Sequence, residues 1–178
     1  MSTLAQITTE IQDRLFTQGI SRQESKRLVK EVTGYGEEIF ITAPQTIFTV
    51  AQKAALEAVV MRRAQGEPLY RILGVREFWG MDFKVTPDTL DPRPDTETLV
   101  EAVLKWAKSQ RKETEPLSIL DLGTGTGCII ITLLTELPQA YGVAIDKAPA
   151  ALKIAQENAA RHGVKDRLQL IESDWLAA

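Results

Sequence analysis

The sequence predicts an α/β protein in which a small helical bundle and a β-hairpin linker precede a parallel sheet. Three observations predict it. Residues 1 to about 66 carry short amphipathic helix patterns. Residues 76–85 alternate partly around a central Gly80, as a hairpin does. From Leu117 onward the pattern runs strand, helix, strand, helix, strand. That order requires right-handed crossovers between parallel strands. The boundaries that follow are 1–74 for the helical domain, 75–92 for the hairpin linker and 93–178 for the sheet domain.

In the first domain Leu4, Ile7, Ile11 and Leu15 recur at helical spacing until Gly19. Ser21 and Glu24 have the spacing of a capping box, and Leu28, Val29 and Val32 line the helix that Gly34 ends. Glu37 to Ile41 suggest a short third helix. Thr46 to Ala64 suggest a longer one, with Ile47, Val50, Ala54, Leu56, Val59 and Val60 as its apolar contacts. Helices this short are not stable alone in water, so they must pack on one another. Arg62 and Arg63 read as a solvated helix end.

Gly66-Glu67-Pro68 breaks the helical pattern. Phe78 and Trp79 read either as hairpin core or as a surface between domains. Pro87, Pro92 and Pro94 stiffen a connector. Asp95-Thr96-Glu97-Thr98 predicts a capped helix start with acids in its first turn, continued by Leu99, Val100, Val103, Leu104 and Trp106. Arg111 to Pro116 reads as a loop. Strands are predicted at about 118–122, 141–145 and 168–171, with helices at 127–137 and 148–161, the second stopped by His162-Gly163.

Composition narrows the partners. Hydrophobic residues make up 44% and charged residues 25%, as in ordinary globular chains. The net charge is −3, with 9 Lys/Arg against 8 Asp/Glu in residues 1–74 and 12 against 16 in residues 75–178. Such a balance does not favour nucleic acid or an anionic membrane. A single Cys128 excludes an internal disulfide and reads as a small core residue, and no Cys/His cluster has structural-zinc spacing. The N-terminus lacks a signal-peptide pattern, and no apolar run approaches the ~20 residues that span a bilayer. A cytoplasmic monomer is the expectation.

The most informative stretch is Asp121-Leu122-Gly123-Thr124-Gly125-Thr126-Gly127, set between an apolar strand and the apolar run Cys128–Leu134. Glycine permits positive φ and lets a ligand approach where a Cβ would clash. The helix that follows turns its free N–H groups and positive dipole end toward the loop, which suits a carboxylate or phosphate. A dinucleotide fingerprint would put its third glycine at Cys128, and no Lys stands where a P-loop needs one. The plainer reading is a turn that only packs a helix on a strand. At the next strand end Asp146 offers two acceptor oxygens and no donor, which suits a pair of ribose hydroxyls; it could instead cap the following helix. Glu172-Ser173-Asp174-Trp175 follows the third strand. Asp174 is a candidate for an adenine amino group and Trp175 for a purine face, against an exposed loop acid and a core Trp.

The Asp121–Gly127 run resembles the first motif of class I S-adenosylmethionine-dependent methyltransferases. The resemblance sharpens with Gly66-Glu67-Pro68-Leu69, Phe78-Trp79-Gly80, Pro92-Arg93-Pro94-Asp95-Thr96-Glu97, Asp146 and Asp174-Trp175. Together these resemble the HemK/PrmC family of peptide-chain release-factor glutamine methyltransferases, over essentially the whole chain. The resemblance implies a helical domain that docks the release factor, a hairpin linker and a Rossmann-like class I methyltransferase sheet. It implies S-adenosyl-L-methionine as cofactor, held by Asp121, Gly123, Thr124, Gly125, Thr126, Gly127, Asp146, Asp174 and Trp175. The methyl acceptor would be the glutamine amide of a Gly-Gly-Gln motif.

Two positions depart from the family. Tyr70 precedes the usual tyrosine position, which holds Ile72, and Asp91 stands where an apolar residue often precedes Pro-Arg-Pro. The family's Asn-Pro-Pro-Tyr motif follows a fourth strand and is not among these 178 residues. No catalytic residue is therefore expected within them; taken literally they are expected to be inactive, and an N-terminal piece of a longer protein. Alternatives are a non-catalytic translation-factor-binding module, another class I methyltransferase, a nucleic-acid methyltransferase or an NAD(P)-dependent oxidoreductase. Cys128 disfavours the last.

Overall fold

The computed structural model describes residues 2–110, 112 and 114–177; Arg111 and Glu113 of the predicted loop lie outside the described residues. The chain divides into two compact units, Met1–Leu73 and Gly74–Ala178. Among the described residues no helix is long and apolar enough to cross a membrane.

The first unit is built from helices α1 (Leu4–Phe16), α2 (Arg22–Thr33), α3 (Glu37–Thr42), α4 (Val50–Ala64) and α5 (Leu69–Leu73). Leu4, Ile7, Ile11 and Leu15 of α1 meet Leu28 and Val29 of α2 and Leu56 and Val60 of α4 in one buried cluster. Thr3 and Thr49 begin α1 and α4 with reciprocal capping boxes to Gln6 and Gln52, each satisfying two orphan backbone donors. The box expected at Ser21 is only half made. Its hydroxyl accepts from the Glu24 amide at 3.1 Å, but the Glu24 carboxylate turns to Arg63 on α4. Arg63 is thus a partner of α2, with its side chain 20% exposed, and not a solvated helix end.

Helix α4 starts at Val50, later than the predicted Thr46. Residues before it are extended: Thr3 and Ile47 form an antiparallel bridge, and the Leu4 amide donates to the Thr46 carbonyl at 2.8 Å. Thr49 wins as the start because Gln52 stands three residues on to close the box. Helix α5 was not predicted, because five residues after a Pro are too few to show a period.

The second unit opens with an antiparallel hairpin, β1 (Val75–Phe78) and β2 (Met81–Lys84). Its two-residue turn, Trp79-Gly80, has φ of 55° and 68°. That is the type I′ geometry matching strand twist, normally given to Asn-Gly. Trp79 holds it because its backbone N–H donates to Glu97 at 2.8 Å and its indole N–H to Glu136 at 3.0 Å. Phe78 and Phe83 are buried in the second unit's core, ring centroids 6.1 Å apart and edge-on. The hairpin expected as a linker therefore packs inside this unit, with Phe78 as core.

A 3-10 turn, Pro94–Thr96, leads into α6 (Glu97–Ser109). The predicted cap is not formed. Thr96 is helical with no side-chain cap bond, Thr98 donates to the Asp95 carbonyl at 2.6 Å, and Glu97 serves the hairpin turn. Then come β3 (Ser118–Leu122), α7 (Cys128–Glu136), β4 (Tyr141–Asp146), α8 (Pro149–Arg161) and β5 (Leu168–Glu172). The strands are parallel in the order β3-β4-β5, with Leu122 opposite Ile145 and Ile145 opposite Ile171. Both crossovers step the same way, so α7 and α8 share one face of the sheet. Ile119, Ala144, Leu168 and Leu170 pack there, whereas Leu120 (53%) and Tyr141 (59%) on the other face are exposed.

Candidate functional site

The site lies where β3 and β4 end. Gly123, Gly125 and Gly127 all have positive φ, 75°, 56° and 79°, so the stretch turns in a way other residues resist. The loop is closed by its own backbone. The Gly123 and Thr124 amides both donate to the Ile145 carbonyl, at 2.8 and 2.9 Å, which pins the loop to the tip of β4. The Gly127 amide donates to the Thr124 carbonyl at 2.9 Å. Thr124 and Thr126 are buried, and the Thr124 hydroxyl donates to Asp121 at 2.7 Å.

Asp146 faces the bend. One carboxylate oxygen accepts the Gly125 amide at 2.8 Å and the other accepts the Ala148 amide at 3.0 Å. The second contact is a local turn into α8; the helix's own N-cap is Ala148, which has no side-chain cap bond. A carboxylate offers about four lone-pair sites, so two accepted amides leave acceptor capacity for two hydroxyls. Asp146 thus meets both the loop and the approach to α8, but it is not the N-cap that the alternative reading expected.

Glycine size matters differently along the bend. A Cβ at Gly123 or Gly125 would meet nothing within 4 Å. A Cβ at Gly127 would meet Ile131 Cδ1 at 2.7 Å and Ala155 Cβ at 3.3 Å. The first two border open space that a ligand can fill; the third lets α7 pack.

Burial raises the Asp121 carboxyl above its ordinary value, the Thr124 hydrogen bond opposes this, and the Asp146 charge adds to the rise. The same burial pushes the Cys128 thiol up to about 11, so it is a packed, protonated side chain. The site thus has carboxylates near the ends of two strands, loop amides paired to Ile145 and Asp146, and beside them the first turn of α7 without a side-chain cap bond.

The structure brings Asp121, Gly123, Thr124, Gly125, Thr126, Gly127 and Asp146 together. Asp174 and Trp175 stand one strand further, past the tip of β5, and both are exposed. They connect to the cluster through the Ser173 amide, which donates to the Asp146 carbonyl at 3.1 Å. Trp175 has φ of 57° and is 66% exposed, so it is not a core tryptophan. Asp91 pairs with Arg93 at 3.3 Å, and its other oxygen is buried with no hydrogen-bond partner among the described residues.

Sequence reasoning missed Asn158. It sits on the buried stripe of α8 with Ala151, Ile154 and Ala155, and its amide donates to the Thr126 carbonyl at 2.9 Å. A polar residue in register with an apolar helical stripe was the available signal, since a buried amide needs a partner.

Residues 6–74 match the PrmC N-terminal domain, and residues 113–178 match a methyltransferase domain. Three curated relatives carry the name release factor glutamine methyltransferase. That of Agrobacterium fabrum is 43% identical over 85% of this chain and 53% of its own length. That of Cereibacter sphaeroides is 54% identical over 70% and 42%, and that of Escherichia coli 41% identical over 88% and 54%. Both units are thus similar to the HemK/PrmC family. It spans about half the length of the curated HemK/PrmC relatives it matches. The HemK/PrmC motifs fall in both units: Gly66-Glu67-Pro68-Leu69 in the first, the loop and Asp146 in the second.

Proposed function

We propose that the second unit binds S-adenosyl-L-methionine in the bend between β3 and β4, within a protein that methylates the glutamine amide of release-factor Gly-Gly-Gln motifs. The observation that carries the binding is the Asp146 carboxylate held 2.8 Å from the Gly125 amide, beside glycines whose missing side chains leave open space. The residues fit the group. Asp146 retains acceptor sites for ribose hydroxyls, the Gly123–Gly125 backbone allows close approach, and Trp175 presents an exposed ring at the neighbouring strand tip for the base. When bound, the cofactor supplies an electrophilic methyl group on sulfur.

The chain's own residues bind and orient. Asp146 and the first turn of α7 would hold the donor, and such positioning is what an in-line transfer needs most. The methyltransferase-domain match and the names of the relatives support transfer to a release factor, and the PrmC N-terminal match supports residues 1–74 as its docking region. The Asn-Pro-Pro-Tyr motif of the family would hold the acceptor amide, so none of these 178 residues is assigned that step.

Titration calorimetry of the full-length protein with S-adenosylhomocysteine tests the reading. Binding is expected, weakened at least about 100-fold by Asp146→Ala, which removes two charge-assisted hydrogen-bond acceptors. No heat with the wild type, or equal affinity in the variant, would overturn it. Mass spectrometry of a Gly-Gly-Gln release factor should then show a single added methyl group.

A further inference from the structure

We propose that Asn158 is the positioning residue of the glycine loop, fixing one peptide plane of the cofactor cradle and tying it to the hairpin. Asn158 is 1% exposed. Its amide nitrogen donates to the Thr126 carbonyl at 2.9 Å and to the Lys84 carbonyl at 3.1 Å, and its oxygen accepts the Lys84 amide at 2.8 Å. Both of its donor hydrogens and its acceptor are thereby used.

The Thr126 carbonyl and the Gly127 N–H belong to the same planar peptide group. Asn158 holds the carbonyl end, and the Thr124 carbonyl holds the N–H end at 2.9 Å. A plane held at both ends cannot rotate. It joins Thr126, the neighbour of the Gly125 whose amide meets Asp146, to Gly127, the N-cap of α7. The hairpin shares the clamp, because β2 is seated on α8 by further contacts. Lys84 pairs with Glu157 at 2.5 Å, and Arg161 and His162 meet the Asp82 carbonyl at 3.2 and 3.0 Å. Side chains on one helix thus bind β2, and one of them also reaches into the loop.

The cofactor arm of this inference rests on the proposed function; the loop arm does not. Two variants of the full-length protein separate them, read by amide hydrogen exchange and by S-adenosylhomocysteine titration. Asn158→Asp keeps an acceptor for the Lys84 amide but loses the donors; Asn158→Leu loses both. Gly127 exchange should accelerate about tenfold in each, the effect of one lost buried hydrogen bond, and cofactor affinity should fall by about the same factor. Exchange at Lys84 should accelerate in the Leu variant and stay near wild type in the Asp variant. Exchange in the centre of β4 should not change in either.

Unchanged Gly127 exchange in a folded variant would overturn the proposal, as would faster exchange with unchanged affinity. If Asn158→Asp does not fold, the Leu variant decides. If the wild type binds no S-adenosylhomocysteine, the cofactor reading falls, and Gly127 exchange alone decides the role of Asn158.

Discussion

The two units use polar groups in opposite ways. In the first, polar contacts ring an apolar core: capping boxes at Thr3 and Thr49, and exposed ion pairs such as Arg14–Glu57 at 2.7 Å and Lys26–Glu37 at 2.6 Å. The carboxylates shifted there, Glu37 and Glu67, are lowered by side-chain hydrogen bonds from Lys26 and Arg62. Ser25 is its buried polar residue, whereas the second unit buries Thr124, Thr126, Thr132 and Asn158. Three of these four touch or form the glycine loop, and Asp121 beside them is raised by burial. One unit places polar groups where water helps; the other spends them inside to hold backbone in a shape the chain would not choose. That contrast fits a second unit that holds the proposed cofactor site.

The largest test of the contrast is within the loop itself. Gly127→Val forces a side chain into Ile131 and Ala155 at a left-handed position. Overpacking and backbone strain together should cost the second unit about 4 kcal/mol. Gly125→Val sets its Cβ where no protein atom lies within 4 Å, so it should cost about 1–2 kcal/mol of backbone strain while abolishing S-adenosylhomocysteine binding. Two-step thermal melts with parallel titrations check both, and equal stability losses would remove the distinction between a packed glycine and a ligand-facing one. The helical signal of the first unit should survive either change.

A smaller effect is expected at Arg167. Its guanidinium donates to the carbonyls of Leu134 (2.6 Å), Leu137 (3.2 Å) and Ala140 (2.9 Å), closing the C-terminal end of α7. Arg167→Ala leaves those carbonyls without that donor and should lower second-unit stability by about 2 kcal/mol, read by denaturant unfolding. In the first unit Thr49→Ala opens one capping box and should cost about 1 kcal/mol. Cofactor affinity should change in neither case; a shift with Thr49→Ala would mean the first unit takes part in holding the cofactor.

What the sequence made legible follows the same division. Where structure rests on period and local chemistry, the residues announce it: the α1 stripe, the left-handed stop at Gly34, the strand ends at Leu122 and Asp146. Where one group had two suitors, local reading failed. Glu24 had the spacing of a capping box and went to Arg63, and Glu97, a first-turn acid of α6 as expected, also accepts the Trp79 amide. Arg167 and Asn158 each act on backbone about 30 residues away in sequence, and nothing in their own neighbourhoods points there. The loop was readable because its glycines are a local demand. Its clamp was not, because a hydrogen bond to a distant carbonyl leaves no motif.

The smallest predicted effect bears most directly on the contrast. Burial raises the Asp121 carboxyl, more than its Thr124 hydrogen bond lowers it, and Asp146 adds to the rise. A raised folded value means that the native state binds the proton more tightly than the unfolded chain. Its contribution to stability is full below the ordinary aspartate range near pH 4 and is lost as pH rises through the folded value. At neutral pH the ionised side chain therefore works against the fold. Asp121→Asn removes that charge and keeps an acceptor for the Thr124 hydroxyl. It should stabilise the second unit by up to about 1 kcal/mol at pH 7, a few degrees in melting temperature, with the gain vanishing below about pH 4. Melting curves across that range check the sign. A loss of stability at pH 7 would mean that the fold itself needs this carboxylate, and the second unit would then have one fewer group retained at the expense of its own stability.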